Sequence, residues 1–222
     1  MREFLFASCG LALWIITAIH VIFMVLIFSR YRQTRQKIFI LSFDIAFGLF
    51  YDAFVLALGT VLPAGGLLQA LSRMRYVFHG MLIPLIFPIC AYALDARATV
   101  KKLVWVLTGI LIALGVADGC IRVIGVEEVA GVVRYASVSA PAWAEIVNSL
   151  LTFGTVIPLM VVGIVVWGKQ KTPHLFLAGF LMFAFSGLGA ACLELMFYIS
   201  MYGEVLMTAF FYLYANHKAR HT

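Results

Sequence analysis

The sequence predicts an all-α polytopic membrane protein, a single domain over residues 1–222. It is a seven-transmembrane-helix bundle with its N-terminus outside and its C-terminus cytoplasmic. Three observations predict it. Hydrophobic residues make up 64% of the chain and charged residues 12%, against about 45–50% and about 25% in soluble proteins. The apolar residues form runs close to the ~20 residues that a membrane helix needs. The basic residues sit between those runs and alternate in density from one connection to the next.

The expected spans are 5–28, 38–62, 77–94, 103–124, 144–167, 175–198 and 204–216. The charges of Arg2 and Glu3 ahead of the first span cancel, and its apolar run to Phe28 is too long for a cleaved signal peptide. The second stops at Pro63-Ala64-Gly65-Gly66, a turn signal. Residues 67–75 read as an interfacial turn ahead of the third span. Pro84 and Pro88 predict a kink in that span. A polar segment, 126–142, precedes the fifth span, which holds Pro158. Ser200 to Gly203 reads as the turn between the last two spans, leaving the seventh short.

One set of connections carries Arg30, Arg32, Arg35, Lys37, Arg97, Lys101, Lys102, Lys169, Lys171, Lys218 and Arg220. The other carries Arg2, Arg73, Arg75, Arg122 and Arg134, with the acids Glu3, Glu127 and Glu128. The richer set is expected on the cytoplasmic side. Trp105 and Trp167 then fall near the inner interface and Trp143 near the outer one. Compact loops and no targeting signal point to a bacterial inner (plasma) membrane. The net charge of +6 is topology control on this reading, so no nucleic-acid partner is expected.

Ionisable side chains in spans are costly and mark interior or functional positions. Asp52 falls slightly outside the midplane, and His79, Asp118 and Glu194 fall roughly 7–12 Å toward the outer side. Glu145 lies near the outer interface with Arg122, whose i,i+4 spacing from Asp118 suits an intrahelical ion pair. Below the midplane stand only His20 and Asp44, an expected inner relay. Glu145, Asn148, Thr152 and Thr155 share an arc of about 80° on one helix face. Asp44, Gly48 and Asp52 form a second such stripe, and Glu204, Thr208, Tyr212 and Asn216 a third. The expected substrate- or ion-binding residues are therefore Asp52, His79, Asp118, Glu145, Asn148, Thr152 and Glu194, around a cavity open outward. Close helix packing is expected along Gly179, Gly187, Gly189, Ala190 and Ala191.

Seven spans in this orientation resemble retinal proteins, but those need a lysine in the last span. The lysines here, Lys37, Lys101, Lys102, Lys169, Lys171 and Lys218, all lie in connections. Zinc-dependent seven-helix hydrolases related to alkaline ceramidases are a second comparison. His217 and His221 have ligand spacing, yet they lie on the opposite side of the membrane from His79, about 20 Å or more away. No metal and no cofactor is expected, and no phosphate-loop or dinucleotide motif occurs. Cys9, Cys90, Cys120 and Cys192 form no C-x-x-C pair; pairing among Cys9, Cys120 and Cys192 stays open.

Three functions fit. The first is a transporter of a small solute or a cation, coupled to protons through Asp52, Asp44 and His20. The second is an intramembrane enzyme acting on a lipid-like substrate at the outer leaflet, with His79 as acid, base or metal ligand. The third is a non-catalytic sensor or assembly partner. Beyond the lipid bilayer, the partners are then a small solute, ion or lipid-like ligand, and a second copy or a partner membrane subunit in the third case.

Overall fold

The computed structural model describes residues 2–221, with side chains from position 6 onward. The side chains of Arg2 and Glu3, part of the charge pattern, lie outside the described residues. The chain folds as helices α1 (Arg2–Thr34), α2 (Lys37–Leu58), α3 (Gly66–Leu82), α4 (Ile86–Ala93) and α5 (Ala98–Ile121). A hairpin, β1 (Val123–Val129) and β2 (Val132–Ser139), follows. Helices α6 (Ala142–Gln170), α7 (His174–Ala190) and α8 (Met196–Arg220) complete it. Among the described residues, six helical segments are long and apolar enough to cross a membrane, with α3 and α4 counted as one; α7 is apolar but shorter. Composition and architecture together make this a multi-pass helical membrane protein.

Several sequence boundaries change. The kink expected from Pro84 and Pro88 is a 3₁₀ turn, Ile83–Leu85, joining α3 to α4. The helix before this turn, α3, begins at Gly66, so residues 67–75 are helical and not an interfacial turn. Near the C-terminus, the break falls at Ala191–Leu195, not at Ser200 to Gly203. The last helix is consequently 25 residues long. The segment read only as polar is an antiparallel hairpin, so the chain is not purely helical. Its β-branched strands meet at Ala130 (φ 55°) and Gly131 (φ 72°), the two positive-φ positions that a tight hairpin turn demands.

The connections gather at two ends. At one end Gln170 Nε2 donates to the Ala93 carbonyl at 2.8 Å, and Tyr214 Oη to Gln170 Oε1 at 3.0 Å. Lys218 pairs with Asp95 at 2.8 Å, and the Lys37 and Lys101 ammonium groups lie over the Tyr92 ring. The basic-rich connections therefore share one end. The hairpin marks the other. Val133 N–H donates to Gly59 O at 2.9 Å, closing the end of α2. Only glycine fits there, because a Cβ would stand 1.9 Å from the Val133 oxygen.

The largest apolar cluster joins α1, α2, α4, α6, α7 and α8, and its residues include Phe39, Ile45, Ile86, Ile89, Val166 and Phe211. It fills the half of the bundle nearer the basic end. A smaller cluster under the hairpin holds Cys9, Leu13, Leu56, Val132, Tyr198 and Met201.

Candidate functional site

Polar side chains from three helices converge between those clusters. Arg75 Nε meets Asp52 Oδ1 at 2.6 Å, their side chains only 10% and 16% exposed. Arg75 reaches this depth because α3 starts early: nine residues of helix, about 13 Å, precede it. Glu204 lies eight residues into α8, about 12 Å from its start, and is 4% exposed. The charged groups acting on Glu204 are Asp52 and Arg75. Those acting on His79 are Asp52, Arg75 and Asp118.

This group leaves polar atoms unused. Glu204 Oε2, Arg75 Nη1, Thr208 Oγ1 and Ser72 Oγ are buried without a hydrogen-bond partner. Such atoms cost free energy unless something else satisfies them. Asp52, Arg75, His79 and Glu204 line a cavity of about 380 Å³. Its other walls include Thr152 and Phe153 of α6 and Met182, Phe183, Ser186 and Gly187 of α7. A narrow apolar crevice of about 50 Å³ shares His79, Thr152, Phe153, Met182, Phe183 and Ser186 with it. The exposed members of the lining include Thr152, Phe153, Phe183, Gly187 and Ala190. The mouth is therefore on the side of the bundle, between α6 and α7.

The seam between these two helices explains the mouth. Nearer the basic end, a Cβ on Gly163 would stand 2.4 Å from Phe176 N, and one on Gly179 would stand 2.8 Å from Met160 Cγ. Nearer the hairpin, a Cβ on Gly187 would meet nothing within 4 Å. The expected close packing of small residues thus holds at Gly179 and fails at Gly187, where the helices have parted.

The hairpin roofs the cavity. Val132 is fully buried in the cluster with Leu56 and Met201, two cavity-lining residues. The Arg134 guanidinium stacks 4.2 Å from the centre of the Phe197 ring, another lining residue, and pairs with Glu127 at 2.6 Å. Burial pulls the Arg134 guanidinium below its ordinary pKa, and Glu127 opposes that pull.

The other expected site residues divide. Asp118 and Glu145 meet at Arg122, at 2.8 and 3.3 Å, so the expected Asp118–Arg122 pair forms. Arg122 Nη1 also donates to Ser137 Oγ at 2.9 Å, and Arg73 Nη1 donates to the Arg122 carbonyl. These five residues form a strut linking α5, α6, β2 and α3. Asn148 is exposed on α6, and its carbonyl accepts from Thr152 Oγ1 at 2.9 Å. Glu194 is exposed in the 3₁₀ turn Leu193–Leu195, outside the cavity lining. His20 and Asp44 do not pair. His20 Nδ1 lies 3.0 Å from Ile16 O, and the carboxylate it senses is Asp52.

Sequence reasoning missed Arg75 as the deep cation and Glu204 as a cavity residue. Their signals were present: Arg75 and His79 stand at i,i+4, and Glu204 heads a four-residue stripe. Cys9, Cys90, Cys120 and Cys192 are free thiols. His217 and His221 stack at 4.4 Å, and no group of three or more His, Cys, Asp or Glu among the described residues could hold a metal ion. No protein-family model matches the chain, and none of the curated proteins matches its sequence.

Proposed function

We propose that this chain is a seven-span carrier, with its N-terminus outside and its C-terminus cytoplasmic, that takes a small amphiphilic solute from the outer half of the bilayer. The solute passes sideways through the gap between α6 and α7. Its polar head reaches Asp52, Arg75, His79 and Glu204, and its apolar part lies against Phe153, Met182 and Phe183.

The observation that carries this reading is the cavity: a charged floor, apolar walls, a lateral mouth and a hairpin over its aqueous end. Ligand sites are mostly apolar hollows with a few convergent polar groups, and charged groups in spans commonly mark substrate pathways. The outward vestibule expected from the sequence is read instead as a side pocket, a reading supported by Val132 and Arg134 of the hairpin packing on the lining residues Leu56, Met201 and Phe197. The crowded basic end supports the orientation. Helix α7 covers about 25 Å of a ~30 Å core, and the turn Leu193–Leu195 extends the crossing.

The test uses protein in lipid nanodiscs and decanol carrying a photoreactive diazirine on its chain. Labelling should concentrate on Phe153, Met182 and Phe183. Labelling spread equally over lipid-facing residues such as Leu103 and Val106, 66% and 63% exposed, would refute the pocket. Accumulation of decyltrimethylammonium in proteoliposomes above protein-free vesicles tests carriage, and equal accumulation contradicts it.

A further inference from the structure

The cavity floor also specifies the head of the solute. Its one ion pair within 4 Å is Arg75–Asp52, at 2.6 Å, with Arg75 Nη1 left without a hydrogen-bond partner. Glu204 is then a second carboxyl with no cation of its own, and its Oε2 is buried, unpartnered and in the cavity lining. Beyond Arg75, the surrounding helices add no lysine or arginine to the cavity lining, and Arg134 of the hairpin is paired with Glu127 and stacked on Phe197. On α2 the titratable group is Asp52; on α3 they are Arg75 and His79, and on α1 it is His20, which senses Asp52. Helix α6 brings Thr152 and α7 brings Ser186, both uncharged. An isolated carboxylate in such surroundings carries a large desolvation cost unless it is neutralised. Two species can do that: a proton or a ligand cation.

Resting on the lateral-pocket reading, we infer that the solute is an amphiphilic amine, and that its ammonium exchanges with a proton on Glu204. With the cavity empty, Glu204 holds the proton. When R–NH₃⁺ binds, the Glu204 O–H bond breaks, the proton goes to bulk water, and the ammonium N–H groups donate to the carboxylate. Charge in the cavity is the same before and after. The apolar tail lies along Phe153, Phe183 and Met182. An anionic head is disfavoured because it would add a third negative charge to the carboxyls of Asp52 and Glu204 around the one guanidinium in the lining, Arg75.

The experiment compares decylamine, decanol and decanoate binding to the full chain in nanodiscs by calorimetry in buffers of different ionisation enthalpy. Decylamine should bind at least about tenfold more tightly than decanol, which corresponds to ~1.4 kcal/mol. It should release about one proton per molecule, and its affinity should rise up to about tenfold per pH unit while Glu204 is protonated. Glu204→Gln should abolish proton release and the amine preference while still binding decanol. Glu204→Asp, which keeps the carboxyl, should retain both and guards against a misfolded glutamine variant. Tighter decanoate binding, no proton release by the native chain, or an amine preference surviving in Glu204→Gln would overturn the ammonium assignment and leave the pocket standing. Failure of both decanol and decylamine to bind would overturn the pocket itself.

Discussion

The two halves of this bundle solve the same packing problem in opposite ways. Near the basic end, α6 and α7 touch backbone to backbone at Gly163 and Phe176, and large apolar side chains fill the centre. Near the hairpin, the same two helices part at Gly187, and the centre holds two carboxyls, a guanidinium and an imidazole around a cavity. A membrane bundle gains little from burying apolar surface, since lipid is equally apolar; tight contact and polar pairing hold it together. The half nearer the basic end relies on contact, and the half nearer the hairpin relies on pairing. The half that relies on pairing is the half that leaves polar atoms available to a ligand.

Replacing the deep cation should give the largest effect. Arg75→Leu strands Asp52 beside Glu204 in the membrane, and breaking a buried pair costs about 3–5 kcal/mol. Unfolding in mixed detergent should show that loss, and adding Asp52→Leu should recover part of it. Full stability in Arg75→Leu would mean that pairing does not hold the half nearer the hairpin.

The two glycines sharpen the contrast next. Gly163→Leu forces side-chain atoms against the Phe176 backbone and should cost about 1–3 kcal/mol. Gly187→Leu projects into open space and should leave stability within about 0.5 kcal/mol, while obstructing the mouth and weakening diazirine-decanol labelling of Phe183. Equal costs at the two positions would erase the distinction between closed and open seam.

The roof should show the smallest effect. Arg134→Ala removes the stacking on Phe197, worth about 0.5–2 kcal/mol. Its clearer readout is access: hydrogen exchange at backbone amides near Met201 and Glu204 should rise. Unchanged exchange would show that the hairpin is not the seal.

Most of the helical architecture was legible because four spans are long apolar runs with charged connections. Legibility failed where polarity was buried. Gln69, Ser72, Arg73 and Arg75 make the first half of α3 read as a loop, yet Asp52 and the α5 carbonyls supply partners for the two arginines. The misplaced final turn has a similar origin. Ser200 to Gly203 resembles a break, whereas the true one at Ala191–Leu195 lacks glycine and proline. Periodicity gives a face but not a depth, so shifting the helix start hid Glu204 from the cavity. The hairpin was readable from its β-branched strands and Ala130-Gly131 tip, but its role as a roof depends on Gly59 and Phe197, distant in sequence.

The central claim is that the cavity communicates with lipid and not with water. A nitroxide label at Ser186→Cys, in a chain with Cys9, Cys90, Cys120 and Cys192 changed to Ala, tests it directly by power saturation. The label should collide freely with oxygen and rarely with a water-soluble nickel chelate, while the same label at Val138→Cys on the hairpin, 70% exposed in the native residue, should show the reverse. Nickel access at 186 equal to that at 138 would contradict the account and return the cavity to an aqueous vestibule.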